Sequence, residues 1–285
     1  MQSKIETPQD TNKSINSSLN GINLDEPIVM GILNVTPDSF FDGGQYLSDE
    51  TIVRKVNAME FDGAKIIDIG GYSSRPGATE ISEAEELKRV LPIVKLIRSN
   101  FSDMLISIDT FRSNVAEQCV NTGANIVNDI SGGSLDSKMF DTISKLKVPY
   151  VLMHIKGTPE TMQENPTYSN IAQEVYQYFE EKISILNAKG ISNIILDPGF
   201  GFGKTVGHNY EILKSLKQFN SFNLPILVGF SRKSMINKVL NTTPEEALNG
   251  TSILNTLALT HGAKILRVHD VKEANECIQL VEMVK

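Results

Sequence analysis

Eight times along the 285-residue chain a short run of β-branched and aliphatic residues stops at a polar, charged or glycine cluster. The runs span 28–33, 66–69, 105–108, 126–127, 150–153, 194–196, 226–228 and 265–268. They stop in turn at Asn34, Gly70-Gly71, Asp109, Asn128-Asp129 and His154, then at Asp197, at 229–233, and at Arg267 with His269. Short apolar runs without alternation are the habit of parallel strands covered by helices on both faces. The stretches between them have helical spacing: Ile52, Val53, Val56 and Met59 in one, Leu87, Val90, Leu91, Val94 and Ile97 in another. Eight such units predict a closed (β/α)8 TIM barrel, with its site at the C-terminal ends of the strands. A doubly wound open sheet is the rival and would use the same strand ends.

Local signals set the expected helix ends. Ser82 with Glu85, and Thr243-Pro244 with Glu246, read as capping boxes that open helices. Pro92 lacks an N–H for the preceding turn and is expected to kink or split its helix. Residues 1–22, rich in Asn, Ser, Gln, Thr and Lys, are expected as a disordered polar tail, with 23–285 as one catalytic domain.

Composition narrows the function classes. A net charge of −7 argues against general nucleic-acid binding. The absence of a long apolar stretch or an apolar leader argues against a membrane span or export, so a cytoplasmic enzyme is expected. Cys119 and Cys277 are isolated and expected to be free thiols. Yet Arg75, Lys204, Arg232, Lys233 and Arg267 fall at strand ends, so the negative surface does not exclude a positive focus for an anionic small substrate.

Several motifs fail. In Asp197-Pro-Gly-Phe-Gly-Phe-Gly-Lys-Thr205 a phosphate loop needs glycine where Pro198 stands, and a dinucleotide loop needs glycine where Val206 stands. What survives is a loop whose backbone can approach a ligand, with Phe200 and Phe202 available to stack. The four histidines lack metal-site spacing, and His154 has no assignable role. Asp109, Asn128 and Asp197, ending three strands, offer acceptors to a flat, nitrogen-rich heterocycle, with Lys233 for an acceptor on the same ring. Arg75, Arg267, His269 and Asn34 suit a polyanion such as a diphosphate. The competing possibility is that Asp109 pairs with a core arginine and Arg267 with a carboxylate.

The motif Met30-Gly-Ile-Leu-Asn-Val-Thr-Pro-Asp-Ser-Phe-Phe-Asp-Gly-Gly44 closely resembles the signature loop of dihydropteroate synthases. So do Asp68-Ile-Gly-Gly-Tyr-Ser-Ser-Arg-Pro-Gly77, Ser107-Ile-Asp-Thr110, Val127-Asn-Asp-Ile130 and Met153-His-Ile-Lys-Gly-Thr-Pro-Glu-Thr-Met-Gln163. The stretch Asp197 to Lys204, Gly229-Phe-Ser-Arg-Lys-Ser234 and Arg267-Val-His-Asp270 complete the set, which runs in order from about Pro27 to the C-terminus.

The resemblance implies a (β/α)8 barrel that condenses 6-hydroxymethyl-7,8-dihydropterin diphosphate with p-aminobenzoate, giving 7,8-dihydropteroate and diphosphate in folate synthesis. It implies pterin contacts from Asp109, Asn128, Asp197 and Lys233, with Met153, Phe202 and Gly229 lining the pocket. Asn34 would hold diphosphate through Mg²⁺, beside Arg267 and His269. Phe40, Ser73, Ser74, Arg75, Pro76 and Ser231 would frame p-aminobenzoate, as loops 36–42 and 73–76 close, and Asp42 would assist when the first of them does. A homodimer through the last helices and inhibition by sulfonamides are further implications. Tyr72 and Ser74, where Glu and Thr are common, and Phe41, where Ser is common, put the fine shape of the p-aminobenzoate pocket in doubt. The rivals are a corrinoid-dependent pterin methyltransferase, which needs no diphosphate grip, and a non-catalytic pterin-binding homologue.

Overall fold

The computed structural model describes residues 18–19, 22–35, 48–73 and 80–284. Eight parallel strands form its main sheet: β1 (Ile28–Asn34), β2 (Ala64–Gly70), β3 (Leu105–Asp109), β4 (Ile126–Asp129), β5 (Tyr150–Met153), β6 (Ile194–Asp197), β7 (Leu227–Val228) and β8 (Ile265–Val268). They run in the order β6-β5-β4-β3-β2-β1-β8-β7. A parallel bridge between Leu196 and Ile226, with Leu196 N donating to Pro225 O at 2.9 Å, joins the two ends. The sheet is therefore a (β/α)8 barrel, and the open-sheet rival falls.

Nine α-helices follow in the described chain: α1 (Asp49–Phe61), α2 (Glu83–Asn100), α3 (Ser113–Thr122), α4 (Met139–Leu146), α5 (Ile171–Ala188), α6 (Val206–Lys214), α7 (Ser234–Leu240), α8 (Leu248–Thr260) and α9 (Val271–Glu282). The sequence periodicity marked their inner faces. Ile52, Val56 and Met59 of α1 and Val90, Val94 and Ile97 of α2 are buried against the barrel. The cap of α2 is half the expected box: Ser82 Oγ accepts from Glu85 N at 3.2 Å, while the Glu85 carboxylate turns to Arg89. Pro92 does not split α2, which is continuous through it, because Pro92 lies on the exposed face. Thr243 to Glu246 form a turn rather than a helix start, with Glu246 Oε2 accepting from Thr243 N, and α8 begins at Leu248.

Alternation inside each strand explains why the runs end as they do. Met30, Ile66, Ile126, Val151, Ile195, Leu227 and Ile265 form an inner cluster with Leu24 at the base of the barrel. Two residues further on, the same inward face carries Asp68, Asn128, Met153, Asp197, Gly229 and Arg267. The outward-facing residues, such as Ile67, Ile69, Val127 and Leu196, pack under the helices. The barrel is thus greasy at the bottom and polar at the top. Within the stretch expected as a tail, Ser18–Leu19 pairs antiparallel with Ile22–Asn23, and Leu24 then enters the base. Both cysteines are free and buried. No helix among the described residues is long and apolar enough to cross a membrane.

Candidate active site

Strand register sets four groups side by side. Asn34 pairs with Gly70, Gly70 with Asp109, and Asp109 with Asn128, so the ends of β1 to β4 form one row. Glycine at 70 leaves room between its neighbours: a Cβ there would lie 3.5 Å from Asn34 Oδ1 and 3.7 Å from Asp109 Oδ2.

Below the row lies Asp68, fully buried on β2. It accepts from Asn128 Nδ2 at 3.0 Å and from Arg267 Nε at 2.6 Å, both on Oδ2. Arg267 Nη2 also donates to Asp109 Oδ2 at 2.7 Å. One guanidinium therefore faces two carboxylates. Burial opposes the Arg267 charge, but Asp68 and Asp109 more than offset it and raise its pKa. Burial likewise pushes the Asp109 carboxyl up to about 7, against the pull of Arg267 and with the push of Asp68. The competing possibility of an Asp109–arginine pair is realised, with Arg267 as the arginine.

Across the mouth stand Asp197 and Lys233. Asp197 Oδ1 accepts from Gly199 N at 2.7 Å. Burial raises its pKa, with Lys233 opposing. Lys233 donates to the carbonyl of Phe200 and sits 4.8 Å from the centre of the Phe202 ring. Burial lowers its pKa to about 8, although Asp197 works the other way. Gly229 lies between the two cations: a Cβ there would be 3.8 Å from Arg267 Cβ and 3.9 Å from Lys233 Nζ. Phe202 is available at the mouth, but Phe200 is fully buried against Phe230, with ring centres 4.4 Å apart, and cannot stack on a ligand.

The loop after β7 meets the end of β8. Ser231 Oγ lies 3.0 Å from His269 Nδ1 and accepts from His269 N at 3.2 Å. Arg232, with φ +60, is tied to Asp270 at 2.6 Å on the rim and is committed there. Lys204 is buried too, its ammonium spent on loop carbonyls, so it offers no charge to an anion. Met153 is buried on the inward face of β5. Ser73 lies in the loop after β2, beside Tyr72, whose ring meets Phe111 edge-on at 5.3 Å. Phe40, Phe41, Asp42, Ser74, Arg75 and Pro76 lie outside the described residues.

The structure thus brings together Asn34, Asp109, Asn128 and Arg267 on one side and Asp197, Phe202, Gly229 and Lys233 on the other. Sequence reasoning missed Asp68. Its signal was present: an acid interrupts the apolar stretch Ile66-Ile67-Asp68-Ile69. Asp129 is a structural acid instead, accepting from Ser131 N, Gly133 N and Tyr150 OH.

A barrel that gathers acids, an amide and two cations at the C-terminal ends of its strands has the layout of an enzyme site. The model of the family described as "Pterin binding enzyme" matches residues 30–269. Dihydropteroate synthase of Escherichia coli strain K12 is 47% identical over 263 residues, which are 92% of this chain and 93% of that protein. A Yersinia pestis dihydropteroate synthase, solved with a sulfonamide drug, matches at 42% identity and TM-score 0.87, over 92% of this chain and 96% of that one. A Xanthomonas albilineans dihydropteroate synthase, solved with 4-aminobenzoic acid, matches at 36% identity and TM-score 0.88, over 95% and 98%. The chain belongs to the dihydropteroate synthase family of pterin-binding enzymes, which are transferases.

Proposed function

We propose that the chain joins 6-hydroxymethyl-7,8-dihydropterin diphosphate to p-aminobenzoate, releasing diphosphate and forming 7,8-dihydropteroate. The observation that carries this reading is the in-register row Asn34, Gly70, Asp109 and Asn128, facing Asp197 and Lys233 across one mouth. Asp109 and Asp197 accept from the ring and amino N–H groups of a pterin, and Lys233 donates to its carbonyl oxygen. Phe202 packs on the ring face. The remaining N–H groups of Arg267, with His269, receive the diphosphate, while Asp68 keeps the guanidinium oriented.

The reacting carbon is a methylene attached to a ring that shares positive charge. Its bond to the diphosphate oxygen breaks with the electron pair going to oxygen, and Arg267 and His269 stabilise that charge. The neutral arylamine nitrogen then gives its lone pair to the carbon, forming the new C–N bond, and its proton passes to water. Ser231, fixed by His269, flanks the second substrate, with Phe40, Ser73, Ser74, Arg75 and Pro76.

Mg²⁺ fits this reading. The Asn34 amide oxygen is a hard donor at the rim, and Mg²⁺ keeps most of its waters when held by one or two protein oxygens and substrate phosphates. When bound, it neutralises charge on the diphosphate.

A sulfonamide, shaped like p-aminobenzoate, takes the same place. Two copies pair through α8 and α9, where Ile253, Leu257 and Leu280 stand exposed on a shared apolar face.

The test is an assay of diphosphate release. Release requires both substrates and Mg²⁺. Folded protein that releases none under those conditions overturns the reading.

A further inference from the structure

The glycine-rich loop after β6 closes on a buried lysine. Lys204 is 3% exposed. Its Nζ donates to Phe202 O at 2.8 Å, Gly199 O at 2.9 Å and His154 O at 3.2 Å, and lies 3.0 Å from His154 Nδ1. An ammonium has three N–H groups and no lone pair, so these four acceptors share three donors; His154 Nδ1 then accepts from a shared N–H, with its ring neutral and the proton on Nε2. Burial first, and the Lys204 charge second, hold the His154 pKa well below its ordinary value, in accord with that tautomer. Tyr178 meets the His154 ring edge-on at 4.9 Å and donates to Met153 O, fixing the histidine from behind.

The two loops touch backbone to backbone. A Cβ at Gly199 would fall 2.0 Å from His154 O, and one at Gly203 would fall 2.5 Å from Lys156 O. Both glycines hold positive φ, of 68° and 61°. The contact therefore tolerates no side chain.

Three ligand-facing features hang on this loop: the Asp197 carboxylate through Gly199 N, the Phe202 ring, and the Phe200 carbonyl that receives Lys233. Burying an ammonium is a costly way to stabilise a loop, since apolar packing does that without desolvation. Its gain is fixed geometry.

We propose that Lys204, seated on His154, is a positioning residue for pterin recognition, setting the loop that presents Asp197, Phe202 and the Lys233 acceptor. The proposal rests on the functional reading above, in which those groups meet the pterin. It gives His154 a role that touches no substrate.

The test compares wild type with Lys204→Met, His154→Leu, His154→Asn and Asp197→Asn. Calorimetry with 6-hydroxymethyl-7,8-dihydropterin diphosphate gives the Kd, and steady-state assays give the KM for p-aminobenzoate. Asn places an oxygen where His154 Nδ1 stands, so it keeps the acceptor. Lys204→Met and His154→Leu should weaken pterin binding on the order of 10- to 100-fold, as small displacements of binding groups do. The KM for p-aminobenzoate should stay unchanged, and His154→Asn should bind pterin close to wild type. Unchanged pterin Kd in the folded variants, or equal losses for both substrates, overturns the proposal. So does His154→Asn matching the defect of His154→Leu. If Lys204→Met does not fold, the two His154 variants decide. Pterin binding lost only in Asp197→Asn sinks this proposal alone; wild type that binds no pterin sinks the functional reading with it.

Discussion

Arg267 Nη2 stands 2.7 Å from Asp109 Oδ2, although their strands are separated in the sheet by β1 and β2. Only a closed, inward-facing arrangement lets the two meet. With Asp68 at 2.6 Å on the other side, the guanidinium is oriented before any ligand arrives. That is the kind of preorganisation that lets a cation meet a leaving group without first rearranging.

Replacing Arg267 should be felt in turnover and in stability. Arg267→Met leaves Asp68 buried without its cation, which costs about 3–5 kcal/mol for a broken buried pair. Asp68→Asn in the same chain should restore part of that stability without restoring diphosphate release. A double-mutant cycle by urea denaturation measures the first effect, and the release assay the second. Near-wild-type turnover in Arg267→Met would remove it from the diphosphate site.

Asp197→Asn should act on pterin binding above all. The amide keeps one oxygen for Gly199 N but presents an NH₂ where the ring's donors need an acceptor. The Kd for the pterin substrate should rise on the order of tenfold or more, as expected for losing a charge-assisted hydrogen bond. An unchanged Kd by calorimetry would remove Asp197 from the pocket.

Lys233 predicts an alkaline limb. With its pKa lowered to about 8, chiefly by burial, the ammonium is lost as pH rises through that value. Pterin affinity should fall above pH 8, and Lys233→Arg, which stays charged, should flatten the profile even if its affinity is lower throughout. A pH series of Kd checks this; identical profiles for the two proteins would contradict it.

Asp109 makes a prediction of stability. Its folded pKa, pushed up to about 7, lies above the ordinary carboxylate value, so the folded state holds a proton that the unfolded chain releases. That contribution is complete below the unfolded pKa and is lost as pH rises through about 7. Asp109→Asn should lose less stability than wild type between pH 5 and pH 8. Equal losses in urea titrations would mean that Asp109 is not the group responsible.

The exposed face of α8 and α9 predicts association. Leu280→Glu or Leu257→Glu should convert a dimer to monomer in sedimentation velocity, with the fold retained by circular dichroism. A wild type that sediments as a monomer at assay concentrations would rule the pairing out.

The barrel was legible because each strand is short, mostly apolar on both faces and stopped by a glycine or polar residue. Asp109, Asn128 and Asp197 could be read because they end strands. Asp68 was harder to see because it sits one inward position below the rim, where the sequence shows only one acid among isoleucines. Lys204 was misread as a free cation because nothing local reveals that four acceptors from two loops converge on it. The start of α8 was misplaced because Thr243 to Glu246 make a cap-like bond in a turn. Such outcomes depend on contacts between segments far apart in sequence, which local spacing does not encode.

The joint between β6 and β7 is the least sutured in the cylinder, since β7 has two residues and meets its neighbour through the single Leu196–Ile226 bridge. Lys233 spans that joint from above, reaching from the loop after β7 to the Phe200 carbonyl after β6. One side chain therefore works as a rivet for the wall as well as, in the proposed function, a contact for the pterin. A change at position 233 is felt twice, and this stretch of rim has little freedom to drift toward a different ligand without loosening the barrel at its seam.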